Sequence, residues 1–157
     1  MSFLMWLQDS SFAAFVRDNP VCYWNILFVH ALGLSIAVGA STVVALRVLL
    51  GFPSTIPLAS LERLFPVMWF GFVINAISGS FLFVAEAADK AVNPYFVVKM
   101  VFIALAVANM WLLKRKVFRD PGLSLAGVPQ GGRLLSGVLL ILWLGTTVSG
   151  RLIAYYM

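Results

Sequence analysis

Residues 21–50, VCYWNILFVHALGLSIAVGASTVVALRVLL, decide the fold of this chain. This stretch is predominantly apolar and carries a single histidine and a single arginine. Apolar stretches of 18 or more residues with few charges are typical of helices that cross a membrane. Pro20 precedes the stretch and Gly51 follows it, as expected for the start and the end of a helix. We therefore predict a transmembrane helix over 21–50.

The rest of the sequence continues the same pattern. Of its 157 residues, 62% are hydrophobic and 11% are charged, whereas soluble domains carry about a quarter charged residues. The N-terminal segment alternates apolar and polar residues at helical spacing, which predicts an interfacial amphipathic helix. We expect an all-α, single integral membrane domain over 1–157, a bundle of four transmembrane helices. The expected elements are the interfacial helix at about 3–17 and spans at about 21–50, 66–88, 94–113 and 134–156.

The basic residues indicate how this bundle is oriented. A net charge of +5 could suggest nucleic acid, but the charges gather around one loop between the third and fourth spans, as the positive-inside rule describes for cytoplasmic loops. We therefore predict no nucleic-acid partner, a bacterial inner (cytoplasmic) membrane, and both termini on the periplasmic side. The cytoplasmic set comprises Arg47, Arg63, Lys114, Arg115, Lys116, Arg119 and Arg133.

Each span also carries one ionisable residue toward the outer face. At about 1.5 Å of rise per residue, His30, Lys99 and Arg151 lie about 6 to 9 Å outward of the membrane midplane, and Glu86 lies about 13 Å outward. Ionisable side chains at such depth are costly and usually face a bundle interior or a cavity. One interpretation is structural: Glu86 pairs with Lys99, Arg151 extends to the interface, and His30 bonds a carbonyl. The other is a binding site.

If these residues form a binding site, the residues near His30 in the sequence favour a cofactor as its ligand. Gly33 and Ala37 continue its helix face at helical spacing. Small residues allow close helix packing, and they also leave room for a flat macrocycle. Haem iron takes imidazole as an axial ligand, and a helix bundle suits its apolar ring. The sequence thus predicts haem b bound at His30, with Gly33 and Ala37 against the ring.

A six-coordinate haem needs a second axial ligand, and the sequence has one histidine. Lys99 and Met100 lie at the required depth, and His30 of a second copy is a third candidate. Lysine binds iron in its neutral form, which a desolvated site favours. Arg151 could pair with a haem propionate, because a guanidinium group matches the geometry of a carboxylate.

Three blocks of sequence resemble a known family. HALGLSIAVGASTVVALRVLLG (30–51), PVMWFGFVINAISGSFLFVAEA (66–87) and NPYFVVKMVFIALAVANM (93–110) together resemble an uncharacterised family of small four-helix bacterial integral membrane proteins. That family implies no function.

More distantly, the layout is similar to HemJ-type protoporphyrinogen oxidases and CopD-like membrane proteins. His30, Arg47 and Lys99 fall where the HemJ group has a first-helix histidine, an arginine and a third-helix lysine. This similarity implies b-type haem held by His30, with Lys99 as second ligand. The first-helix tryptophan and Pro-Arg pair of that group, and any later histidine, are missing, so the implication stops short of porphyrinogen oxidation.

Three functional hypotheses follow from these features, and one of them, a small transporter-like or metal-handling protein, is disfavoured because the sequence lacks clusters of metal ligands. The first is a haem b protein that transfers electrons or performs haem-dependent redox chemistry near the outer membrane face. Quinone or a partner subunit would exchange electrons with the haem. Because the bundle is small and faces lipid, we expect a homo-oligomer or a subunit of a membrane complex. The alternative is a cofactor-free accessory subunit of a larger complex. The sequence assigns no catalytic residue.

Overall fold

The computed structural model describes residues 2–51, 57–118 and 130–155. These residues form seven α-helices, together with a 3₁₀ segment at Leu58–Arg63 that leads into α4 and a π-helical segment at Lys114–Phe118 that extends α6. The α-helices are α1 (Ser2–Gln8), α2 (Ser11–Asp18), α3 (Pro20–Leu50), α4 (Leu64–Ala85), α5 (Ala87–Val92), α6 (Pro94–Leu113) and α7 (Gln130–Ile153).

Four of these segments are long and apolar enough to cross a membrane. They are Pro20–Leu50, Leu58–Ala85, Pro94–Phe118 and Gln130–Ile153, so the prediction of an all-α bundle with four transmembrane helices is confirmed. Many of their large apolar side chains are exposed on the outside of the bundle, as expected where the surrounding solvent is lipid. The protein is therefore an integral membrane protein.

The same dipeptide starts the first and third of these helices. Asn19 caps α3 by accepting a hydrogen bond at Oδ1 from the N–H of Cys22 (3.1 Å), and Pro20 opens the helix. Asn93 caps α6 by accepting from the N–H of Tyr95 (2.9 Å), followed by Pro94. In both, the side chain satisfies a backbone donor that has no partner within the helix, and proline supplies a helical φ.

The bundle is built from two antiparallel pairs. α3 packs along α4, α6 packs along α7, and the pairs meet where α3 contacts α7. α4 and α6 make no comparably close backbone contact; there the rings of Phe83 and Phe96 stack at 5.3 Å. The half of the bundle next to the basic residues has an apolar core that includes Val44, Val48, Phe65, Met68, Met110, Leu113, Leu139 and Trp143.

The N-terminal segment differs from the single helix expected at about 3–17. It forms two helices, because Ser10 ends the first and caps the second by accepting from the N–H of Ala13 (3.2 Å). α2 packs against α3 and α4 with Ala13 and Val16 buried. The segment therefore belongs to the helical packing of the bundle and is not an isolated surface helix.

The second span also ends earlier than the expected residue 88. α4 ends at Ala85, Glu86 adopts a non-helical backbone conformation, and α5 follows. Side chains satisfy the backbone groups at this break. Arg17 Nη1 donates to Ala85 O (3.2 Å), the Ala88 N–H donates to Gln8 Oε1 (2.7 Å), and Lys90 Nζ donates to Leu82 O (2.6 Å).

The other boundaries lie close to expectation. The third span matches 94–113, the first begins one residue early at Pro20, and the fourth begins at Gln130 instead of 134. The expected end of the fourth span at 156 and Arg119 of the basic set lie outside the described residues.

Candidate functional site

A cavity of about 410 Å³ lies between the four long helices. It is in the half of the bundle far from the basic residues that the sequence assigned to the cytoplasmic side. Every long helix contributes a polar side chain to its wall: His30 from α3, Asn75 from α4, Lys99 from α6 and Arg151 from α7. Much of the remaining wall is apolar, including Leu27, Leu34, Leu82, Phe83 and Phe96. Glu86 also lines the cavity, so the structure brings together all four ionisable residues that the sequence had placed toward the outer face.

The imidazole of His30 is held by α4. Its Nδ1 lies 3.0 Å from Asn75 O and 3.2 Å from Ser78 Oγ. The Asn75 side-chain amide nitrogen donates to His30 O (2.8 Å) and lies at similar distances from Nδ1 (3.3 Å) and Nε2 (3.4 Å). Such equal distances place the amide over the ring face and not along a nitrogen lone pair.

Gly79 makes room for this ring. A Cβ built on Gly79 would lie 2.9 Å from Cε1 of His30 and 3.3 Å from Nδ1. The first distance is shorter than van der Waals contact, so a side chain at this position would displace the imidazole. Residue 79 therefore fixes how closely His30 can approach α4.

Lys99 and Arg151 bring positive charge to the cavity without a carboxylate partner. The aliphatic part of Lys99 lies over Gly150, where a built Cβ would be 3.7 Å from Lys99 Cδ. The Arg151 guanidinium carbon lies 5.7 Å from the ring centre of Tyr155. Within the described residues, neither cation forms an ion pair with Asp or Glu. The cavity is therefore suited to a ligand with an anionic group.

The structural interpretation from sequence is wrong in pairing Glu86 with Lys99, whereas its expectation that His30 bonds a carbonyl is confirmed by Asn75 O, 3.0 Å from Nδ1. Glu86 Oε2 lies 2.9 Å from Lys90 Nζ, one helical turn along the chain. The break after Ala85 carries the Glu86 side chain to the cavity wall beside Lys90. Sequence reasoning missed Lys90 because it fell beyond the expected layer. The acidic and basic residues four apart, Glu86 and Lys90, were the available signal.

Gly33 and Ala37 lie elsewhere than expected. A Cβ on Gly33 would stand 2.7 Å from Asn75 N and 2.9 Å from Gly71 O, so α4 closes over this face. Ala37 is buried in the same contact, where a Cβ on Gly71 would stand 2.6 Å from its nitrogen. Neither residue lines the cavity. They serve helix packing, so the flat surface expected for a macrocycle is absent from this face.

Met100, one of the candidate second ligands, also lies outside the cavity. Its side chain is 47% exposed, on the outer side of α6. Lys99, one position earlier in the helix, lines the cavity. The helical repeat alone separates the two, since neighbouring residues point about 100° apart around the axis.

The side chains available to coordinate a metal limit the kinds of ligand that this site can hold. The described residues contain no group of three or more His, Cys, Asp or Glu side chains able to hold a metal ion. His30 thus contributes a single imidazole to a largely apolar cavity whose wall also carries the cations of Lys90, Lys99 and Arg151. Comparison with protein-family profiles, curated proteins and solved structures found no match for this chain.

Proposed function

We propose that the chain is an integral membrane haem b protein that transfers electrons near the outer membrane face, with iron bound at Nε2 of His30. The observation that carries the proposal is the hydrogen bond at the other ring nitrogen. Nδ1 faces Asn75 O at 3.0 Å, and histidines that ligate metals typically donate their second N–H to a carbonyl or carboxylate.

The residues of the cavity fit an amphiphilic, dianionic macrocycle. Apolar side chains suit the ring, and Arg151, which forms no ion pair within the described residues, suits a propionate. The absence of a clustered metal-ligand set among the described residues accords with iron held mainly by a porphyrin. When bound, haem supplies a one-electron ferric/ferrous couple. His30 would position it, and the cavity walls would exclude water from it.

Lys99 is the second axial ligand that we favour. It enters the cavity from α6, whereas His30 enters from α3. Met100 faces outward and is the weaker candidate. If Lys99 ligates, Arg151 is the remaining cation for a propionate. A second copy of the chain donating its own His30 is the alternative, and it would make the homo-oligomer part of the site.

We also propose an orientation and partners. The ends of α3 and α6 and the starts of α4 and α7 carry the basic residues, so the positive-inside rule assigns that end to the cytoplasm of a bacterial inner membrane. The cavity and both termini then face the periplasm. Quinone in the outer leaflet or a partner subunit would exchange electrons with this site.

Purification from haem-replete cells tests the proposal. We expect a red protein whose Soret band shifts on reduction with dithionite. His30→Ala should remove the pigment, whereas Lys99→Met should retain it with an altered spectrum or midpoint potential. Lys116→Met, an exposed lysine at the opposite end, is the matched control. A colourless wild-type protein would overturn the haem assignment and support the cofactor-free accessory subunit.

A further inference from the structure

Two oxygen atoms of α4 accept hydrogen bonds at Nδ1 of His30, while the third group near Nδ1, the Asn75 amide nitrogen, lies over the ring face at 3.3 Å. The main-chain oxygen of Asn75 can only accept. The hydroxyl of Ser78 lies 2.6 Å from Ile74 O and donates its proton there, so its oxygen accepts toward the imidazole at 3.2 Å. Two acceptors at one ring nitrogen require that nitrogen to carry the proton.

We propose that Ser78 and Gly79, together with the main chain of Asn75, are a positioning device that holds His30 as the Nδ1–H tautomer and keeps Nε2 as the free electron-pair donor. Ser78 supplies the second acceptor for Nδ1–H. Gly79 allows the ring to reach both acceptors, because a Cβ there would stand 2.9 Å from Cε1. The Asn75 amide lies over the ring face and restricts rotation of the ring.

The ligand class of the site follows from this tautomer. An unprotonated Nε2, whose in-plane lone pair the Asn75 amide over the ring face leaves open, binds an electron-pair acceptor, which means a transition-metal ion or a hydrogen-bond donor. It does not recognise an acceptor such as a carbonyl oxygen, so anionic parts of a ligand are left to Arg151, and to Lys99 where Lys99 does not itself ligate iron. The Nε2 lone pair and the cationic side chains of the cavity therefore bind different parts of a ligand, whether or not that ligand is haem.

If haem binds at His30, as the proposed function holds, then the hydrogen bonds at Nδ1 influence its midpoint potential. Donation from Nδ1–H to two acceptors makes Nε2 more basic and stabilises ferric iron relative to ferrous. Loss of the Ser78 oxygen should therefore raise the midpoint potential of the bound haem. A residue with a merely structural role would not shift the potential in a defined direction.

The single histidine makes the tautomer directly measurable. We would label the full chain with ¹⁵N-histidine in lipid nanodiscs, strip any pigment, and record ring-nitrogen spectra at neutral pH. We expect a protonated Nδ1 and an unprotonated Nε2. Gly79→Ala should produce the averaged shifts of a tautomer mixture, and Ser78→Ala a smaller change in the same direction. Ser80→Ala is the control, because its exposed hydroxyl bonds Ala76 O away from His30.

An Nε2–H tautomer in the wild type, or identical spectra in Gly79→Ala and the wild type, would overturn the inference. If Gly79→Ala fails to fold, Ser78→Ala alone decides the matter, since a spectrum like that of the wild type then contradicts a role for its oxygen. The haem assignment is tested separately. An Nδ1–H tautomer in a chain that never binds pigment would sustain the positioning device and remove the haem.

Discussion

The side-chain amide of Asn75 donates to the main-chain oxygen of His30 at 2.8 Å and so joins α4 to α3 at the level of the cavity. The other buried asparagine within a long helix that the structure describes is Asn109 on α6. Its Oδ1 is buried and has no hydrogen-bond partner among the described residues. Two asparagines of similar burial, 7% and 5% exposed, therefore have opposite energetic roles.

Substitution of each asparagine by leucine should separate these roles. Asn75→Leu should lower the free energy of unfolding by about 1–3 kcal/mol, because a hydrogen bond between helices is lost and the site must repack. Asn109→Leu should leave stability unchanged or raise it, because an unpaired buried oxygen is replaced by apolar surface. Unfolding in mixed detergent micelles, followed by helical circular dichroism, measures both. A larger loss in Asn109→Leu than in Asn75→Leu would contradict this assignment.

Gly33 and Gly71 set the distance between α3 and α4. A Cβ on Gly33 would meet backbone atoms at 2.7 and 2.9 Å, so Gly33→Ala should force the helices apart and lower stability by about 1–3 kcal/mol. Gly39 on the same helix has nothing within 4 Å of such a Cβ. Gly39→Ala should therefore be neutral or stabilise by up to about 1 kcal/mol through helix propensity.

Unfolding in mixed detergent micelles, followed by helical circular dichroism, also compares the stabilities of Gly33→Ala and Gly39→Ala. Each replaces glycine by alanine inside one helix, so propensity is matched and the difference reports packing. Equal stabilities for the two variants would show that the α3–α4 contact tolerates a methyl group.

Lys90 stabilises the break between α4 and α5. Its Nζ donates to Leu82 O (2.6 Å) and pairs with Glu86 (2.9 Å), and its side chain is only 11% exposed. Lys90→Met keeps the aliphatic volume and removes both interactions, and we expect a loss of about 1–3 kcal/mol, the range for hydrogen bonds to a charged group. Lys116→Met removes an exposed charge and should change stability by less than about 0.5 kcal/mol. Thermal unfolding of both variants in one detergent is the measurement.

Gln8 connects the N-terminal helices to the same break. Its Oε1 accepts from the N–H of Ala88 and its Nε2 donates to Asp89 (3.2 Å). Gln8→Leu leaves a partly buried backbone donor without an acceptor, so we expect faster proteolysis at α1 and a stability loss of about 1–2 kcal/mol. Gln130→Leu, at the exposed start of α7, is the control. Equal protease resistance in the two variants would refute a fastening role for Gln8.

Sequence predicted the spans because their signals are local. An apolar run of sufficient length has few structural solutions in a membrane, and Asn-Pro at 19–20 and 93–94 marks two helix starts by side-chain capping and a fixed φ. Local signals did not reveal the break at Glu86. Its unsatisfied backbone groups find partners in Gln8 and Arg17, about 70 to 80 residues earlier in the chain.

By itself, then, the sequence determined that four apolar helices are long enough to cross a membrane, that two of them begin at an Asn-Pro pair, and that His30, Lys99 and Arg151 lie at a similar height along their helices. Depth follows from rise per residue along one axis. Rotation about that axis and the partner of each side chain depend on which helices touch. Tertiary structure alone decided that Gly33 and Ala37 lie against α4 and that Lys90, not Lys99, neutralises Glu86. It also decided that the backbone of Asn75 holds the imidazole.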